Sequence, residues 1–310
     1  MSNFHTQSPA GTPLSTSAPS LPEVPNFLSL DRIRHELVLM EDTIVFALVE
    51  RAGFAQNLCI YEEGHPNFQF PHAEKTSFLD YFFSEMEAVH AKVRRYTSPD
   101  EYPFTDPSKL PQPVLPPMKF PQLLYPNKIN INTDIKKMYI EKIIPSLCKL
   151  GDDQNYGSSS TKDIEALQVL SRRIHFGKFV AEAKFQDPAL QPTYIRLIRA
   201  RDAAGIEALL TNRAVEERLL KRIRLKAFIF GQEVDEGKGG GGALLDPMEE
   251  ASWRPPVTPV AGKPAKRSRK IEPELVVNLY EQYVIPLTKL VEVEYLLGRL
   301  EHADFTPSMV

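Results

Sequence analysis

The chain is poor in cysteine: Cys59 and Cys148 are the only two in 310 residues, far apart and outside any metal or redox spacing. That leaves no disulfide framework and no thiolate metal site, and it fits a reducing compartment. Neither sign of charge dominates; the formal net charge is −3, so no global field directs the chain to nucleic acid or to a membrane. No apolar run approaches the roughly 20 residues that a membrane-spanning helix needs. The first 22 residues hold no Lys, Arg, Asp or Glu, which removes the basic start of a secretory signal or transit peptide. Strand-type alternation between turn signals is also hard to find. These absences predict a soluble, cytoplasmic, all-α protein.

What is present is helical periodicity. A hydrophobic content of 42% suits one large core or two modest ones. Residues 1–24 are rich in Ser, Thr and Pro and read as a disordered tail, with 25–310 as one domain. Asp31 is a plausible N-cap, and Ile33, Leu37, Ile44 and Leu48 recur at helical spacing to about Ala52. A second helix spans about Phe78 to Tyr96. Eight prolines between Pro103 and Pro126 predict an extended connection over the surface. Asn132 to Asp134 start a third helix, carried by Ile135, Tyr139 and Ile143 and kinked at Pro145. Gly151 to Ser160 reads as a loop and Thr161 to Phe185 as one long helix. Further helices are expected near Pro192–Arg199, Asp202–Leu210, Asn212–Ile229 and Pro273–His302.

One stretch interrupts this order. From Gly231 to about Lys270 the chain carries a four-glycine run and then Pro255, Pro256, Pro259 and Pro264, which predicts a mobile insertion within the domain. Its end, Lys263 to Lys270, holds five cations and no acid. A nuclear-import or anion-binding role and a solvated linker both remain open there. Gly237–Lys238 lacks the spacing and the Ser/Thr of a phosphate loop.

The densest chemistry lies in RRIHFGKFVAEAKF, Arg172 to Phe185. Arg173 and Lys184 are eleven residues apart, almost three turns, so on a continuous helix they share one face about 20° apart. Val180 lies between them. Two cations around a small apolar residue suit a compact dianion with a hydrocarbon body. Other polar pairs repeat this alignment: Arg34 and Glu41 seven apart, Asn212 and Glu216 four apart, Thr288 and Glu292 four apart. Each alone equally describes a solvated helix face. Thr288 and Glu292, however, sit among Ile285, Val291, Tyr295 and Leu296. A buried carboxylate is costly unless paired or protonated, which makes Glu292 a candidate functional acid.

Several segments together resemble a known family. They are IRHELVLMED (Ile33–Asp42), VRRYTSPDE (Val93–Glu101), YIEKIIPSL (Tyr139–Leu147), SRRIHFGKFVAEAKFQ (Ser171–Gln186), NRAVEERLL (Asn212–Leu220) and VIPLTKLVEVEYLL (Val284–Leu297). In this order the chain resembles the fungal, AroQ-type chorismate mutases. The resemblance implies an all-helical homodimeric bundle that converts chorismate to prephenate in Phe and Tyr biosynthesis. It implies no cofactor, no metal and no covalent intermediate. By the family pattern Arg34 and Arg173 clamp two carboxylates, Lys184 and Glu292 flank the ether oxygen, and Glu216 accepts from the ring hydroxyl. Asn212 and Thr288 complete the polar shell. Glu292 donates only when protonated, so its pKa should be raised.

The resemblance also implies a second site at the dimer interface, where tyrosine inhibits and tryptophan activates. Its residues would be Arg94, Arg95, Asn155, Gly157, Ser158 and Thr161. Gly157 and Ser158 are expected to precede the long helix, whose free N–H groups can hold an amino acid's carboxylate. An ordinary helix cap beside a basic surface pair is the alternative. Gln154 stands where Asn is more usual, which leaves the choice of effector open. The competing class is a non-catalytic helical protein, regulatory or dicarboxylate-binding; its mark would be loss of one of the seven site residues, and none is lost. A dinucleotide fingerprint and an activated-nucleophile motif are both missing.

Overall fold

A computed structural model describes residues 28–71, 75–232 and 269–308. Among these the regular structure is helical, with β-pairing limited to isolated bridges such as Ala55–Lys149. The all-α expectation therefore holds. Helix α1, Leu30–Arg51, is capped by Ser29, whose hydroxyl accepts from the Arg32 amide. Asp31 is not the cap as expected; it lies inside the first turn, where its charge suits the helix dipole. Helix α2, Phe78–Lys92, ends short of Tyr96 because Arg94 turns left-handed at φ 69° and a short 3₁₀ turn, Arg95–Thr97, follows.

The proline-rich span to residue 131 contains no α-helix, as predicted, and is tied down by buried acceptors and donors. Glu87 accepts from the Phe104 and Thr105 amides, and Asn132 Nδ2 donates to the Tyr102 and Pro103 carbonyls. The third helix is α3, Asn132–Met138, then a π-helical turn over Tyr139–Ile143, then α4, Ile144–Leu147. Pro145 has no N–H to continue the α-ladder, and the wider π-turn makes room for its ring.

The expected long helix begins earlier and is broken. Helix α5 runs Tyr156–His175 and α6 runs Gly177–Phe185, with Phe176 the single residue between them. Then come α7, Gln191–Arg199, α8, Ala203–Leu210, and α9, Arg213–Phe230. The last expected helix divides like the third: α10, Pro273–Leu279, a π-turn over Tyr280–Val284, and α11, Ile285–Arg299, with Pro286 just after the π-turn.

Helix α5 lies against α1 and α11, α6 against α11, and α9 against α1 and α10. Ile44, Leu48, Ile164, Leu167, Ile174, Val291 and Leu296 fill the space among them. Around the expected insertion, the Lys270 amide donates to the Gly231 carbonyl at 3.0 Å and Gln232 bridges Arg269. The chain thus returns where it left. The N-terminal tail, the glycine run and most of the basic cluster lie outside the described residues. Among the described residues no helix is long and apolar enough to cross a membrane.

Candidate active site

Five helices converge on one cavity of about 190 Å³, and all seven predicted catalytic residues line it. Arg34 comes from α1, Arg173 from α5, Lys184 from α6, Asn212 and Glu216 from the start of α9, and Thr288 and Glu292 from α11. Ile33, Leu37, Val180, Leu219 and Ile285 supply its apolar wall. Charged tips around an apolar body are what a small hydrocarbon dianion requires.

The positive side of the cavity is under-bonded. Arg173 is 4% exposed, yet its Nη1 makes one long hydrogen bond, 3.4 Å to Thr288 Oγ1, and its Nε has no partner. Thr288 Oγ1 in turn donates to the Val284 carbonyl at 2.6 Å, which fixes its rotamer. Lys184 Nζ donates to the Leu210 carbonyl at 2.6 Å. Burial holds the Lys184 pKa below the ordinary lysine range, against the opposing pull of Glu292. Burial likewise pushes Glu292 up to about 7, although Lys184, Arg173 and Lys289 act to lower it. Near neutrality Glu292 can therefore serve as a donor.

The remaining predicted residues are engaged elsewhere to different degrees. Asn212 caps α9, its Oδ1 accepting from the Val215 amide at 3.2 Å. Glu216 pairs with Lys289 at 2.9 Å. Arg34 stands at the mouth, its side chain 56% exposed and paired with Asp31 at 2.8 Å. The guanidinium of Arg34 thus points to solvent while that of Arg173 is set into the wall. Glu41, aligned with Arg34 by spacing, lies about 10 Å further along α1 at two turns and does not line the cavity. It is buried and accepts two hydrogen bonds from Arg222, at 2.7 and 2.6 Å, with Lys226 at 3.1 Å.

The second predicted group comes from two stretches of the chain, one after α2 and one at the start of α5. Arg94 donates to the Pro116 carbonyl, and Arg95 contacts Glu101 at 3.2 Å and Gln168 at 3.0 Å. Asn155 is the N-cap position of α5, and Gly157 and Ser158 belong to its first turn rather than preceding it. Thr161 Oγ1 donates to the Gly157 carbonyl at 2.8 Å. Gln154 takes a left-handed φ of 63°, a conformation that Asn adopts more readily than Gln.

No family model matches the chain. Similarity to individual proteins is extensive. The chain is 46% identical over 278 residues to the chorismate mutase of Saccharomyces cerevisiae, covering 88% of this chain and 96% of that one. The chain belongs to the chorismate mutase family. Its fold is also that of the Candida albicans chorismate mutase in complex with L-Trp, with a TM-score of 0.75, 41% identity and coverage of 88% and 92%. AtCM1 with tyrosine bound in its allosteric site gives a TM-score of 0.71, 39% identity and coverage of 89% and 98%. The relatives are isomerases, and so is this chain.

For a chorismate mutase the cavity holds one cation that spacing alone does not reveal. Lys289 lines it beside Glu216, so four cations face two carboxylates. Lys289 follows Thr288 directly and is rotated about 100° from the Thr288–Glu292 line, which hides it from a search for aligned pairs. A lysine inside a mostly buried apolar helix was the available signal.

Proposed function

We propose that this chorismate mutase acts through the seven aligned residues, by positioning and charge and with no cofactor. In the [3,3] rearrangement the ether C–O bond breaks as a C–C bond forms, and negative charge grows on the ether oxygen. The protein must hold the dianion in a chair-like, near-attack geometry and meet that charge. Arg173, with its unsatisfied guanidinium in the wall, takes one carboxylate, and Arg34 swings from Asp31 to take the other. Lys184 and protonated Glu292 donate to the ether oxygen, Glu216 accepts from the ring hydroxyl, and Asn212 and Thr288 complete the shell. A millionfold rate gain needs roughly 8 kcal/mol, within reach of a few charge-assisted hydrogen bonds in a dry cavity. The observation that carries the reading is the meeting of all seven residues in one cavity with Glu292 raised to about 7.

Regulation belongs to the same proposal: tyrosine lowers turnover and tryptophan raises it. Arg94 holds the Pro116 carbonyl and Arg95 holds Glu101 and Gln168 of α5, while the first turn of α5 presents exposed amide-bearing residues at Gly157 and Ser158. A site shared between two protomers of a cytoplasmic homodimer unites those two sets. The test is prephenate formation from chorismate by the purified protein, alone and with each amino acid, together with its mass in solution. No turnover would remove the catalytic reading; turnover indifferent to both amino acids, or a monomer, would remove the regulatory one.

A further inference from the structure

Arg173, Gly177, Val180 and Lys184 follow one another at spacings of four, three and four, the stripe that α5 and α6 turn toward the cavity. Arg173, Val180 and Lys184 line the cavity. At Gly177, α11 closes onto the stripe instead. A Cβ at Gly177 would stand 3.0 Å from Thr288 Cγ2, 3.0 Å from the Thr288 carbonyl oxygen and 3.1 Å from Glu292 Cγ. The two residues met there are the two that α11 contributes to the predicted site. Gly177 is also the first residue of α6, directly after the break at Phe176.

We infer that Gly177 is a positioning residue: the missing side chain sets how closely Thr288 and Glu292 approach Arg173 and Lys184. This rests on the assignment of Thr288 and Glu292 to the reaction. A methyl group at this contact needs a displacement of a few tenths of an ångström from a backbone carbonyl and two catalytic side chains at once. Protein interiors are too densely packed to absorb such a change elsewhere. The displacement moves the acid helix away from the cations, which lengthens the Arg173–Thr288 contact and weakens the hold of Lys184 and Arg173 on Glu292. Groups facing Glu292 are Lys184 on α6, Arg173 on α5, Lys289 on α11, Glu216 on α9 and the Tyr194 phenol on α7. The first two are the ones whose distance Gly177 governs.

The test is Gly177→Ala, with pH–rate profiles and thermal melts, compared with T288S and the double variant. Serine keeps the hydroxyl and removes the Cγ2 methyl that the added Cβ would strike. Gly177→Ala should lower kcat by about tenfold or more, as a misplacement of this scale does, with a smaller change in KM. The alkaline limb of its profile should move to higher pH. On the T288S background the same substitution should do less of both. A melting change alone would not move the limb. An unchanged limb and kcat in Gly177→Ala, or an equal effect on both backgrounds, overturns the inference. Should the single variant not fold, the double variant is compared with T288S; its failure to fold as well, or a limb identical to that of T288S, overturns it too. If the wild-type protein shows no alkaline limb, the assignment of Glu292 fails instead.

Discussion

Helix α5 carries two buried polar clusters, and they differ in how completely they are bonded. Toward its start, Asp163 accepts from Arg51 Nε at 2.6 Å and from the Tyr61 and Tyr139 hydroxyls at 2.8 Å each. Arg51 spends its remaining donors on the Ala55 carbonyl at 2.9 Å and the Gln56 carbonyl at 3.2 Å. About 15 Å along the helix, ten residues on, Arg173 is also buried but has one long hydrogen bond and an unpaired Nε. Lys184 rests on one carbonyl, and Glu292 is raised to about 7. A saturated cluster of charges fixes a fold. An under-bonded one is tolerated where a ligand completes it. The donors of the second cluster face a cavity; those of the first face only protein.

The comparison is broken most directly by removing one charge from each cluster. Arg173→Ala or Lys184→Ala should lower kcat/KM by about a hundredfold to a thousandfold, the range for losing one donor to developing charge. For Arg173→Ala the melting temperature should hold or rise, because an unsatisfied buried group leaves with the side chain. Arg51→Met should do the reverse. It strands Asp163 without its counter-charge and costs about 3–5 kcal/mol of stability, while the folded fraction keeps its kcat/KM. Denaturant titration and steady-state rates on the same preparations decide it. A large stability loss from Arg173→Ala with little kinetic effect would place that residue with the structural cluster.

The acid of the second cluster sharpens the comparison through pH. Activity of the wild type should fall as pH rises through about 7, where Glu292 loses its proton, and Glu292→Gln should remove that limb. Stability carries the same signature. In the unfolded chain a glutamate titrates near 4.5, so between about 4.5 and 7 the folded state binds the extra proton. The wild type therefore loses stability as pH rises across that window, by on the order of 3 kcal/mol in full, and Glu292→Gln should flatten the dependence. Melts at pH 5 and pH 8 on both proteins measure the difference. A wild type equally stable at both values would show that Glu292 ionises normally.

Much of this was legible in the sequence where local physics decides, and illegible where contacts between helices decide. The apolar stripe of α1 and the prolines of residues 103–126 needed only spacing and backbone chemistry. Helix α5 starts at Tyr156 although Gly157 and three serines follow, because tertiary burial of Ser159, Ser160 and Asp163 outweighs their weak propensity. The breaks differ in kind. Pro145 announces its break, whereas Pro286 lies inside what reads as one helix, and that each break becomes a π-turn depends on neighbours the pattern does not contain. Six of the seven site residues align in three pairs and Arg34 aligns with Glu41, outside the cavity, so the union of the seven depends on helix crossings. Lys289 and Gly177 were missed for that reason: one reaches across to Glu216, and the other matters for what presses against it.

The smallest expected effect lies at the start of α5, whose exposed first turn contrasts with both buried clusters. Gly157 has an ordinary helical φ and nothing within 4 Å of where a Cβ would stand. Alanine there should stabilise the helix by about 0.5 kcal/mol, since glycine loses more backbone entropy on folding. If the amides of this turn hold a tyrosine carboxylate, the added methyl crowds its approach, and the tyrosine concentration for half inhibition should rise. The ratio of turnover with and without tyrosine gives this directly, because any change in the basal rate divides out. Stabilisation with inhibition intact would leave the turn an ordinary helix start and move the effector's carboxylate elsewhere. Weakened inhibition in a protein that is otherwise more stable cannot come from damage to the fold, and would place the ligand against this turn.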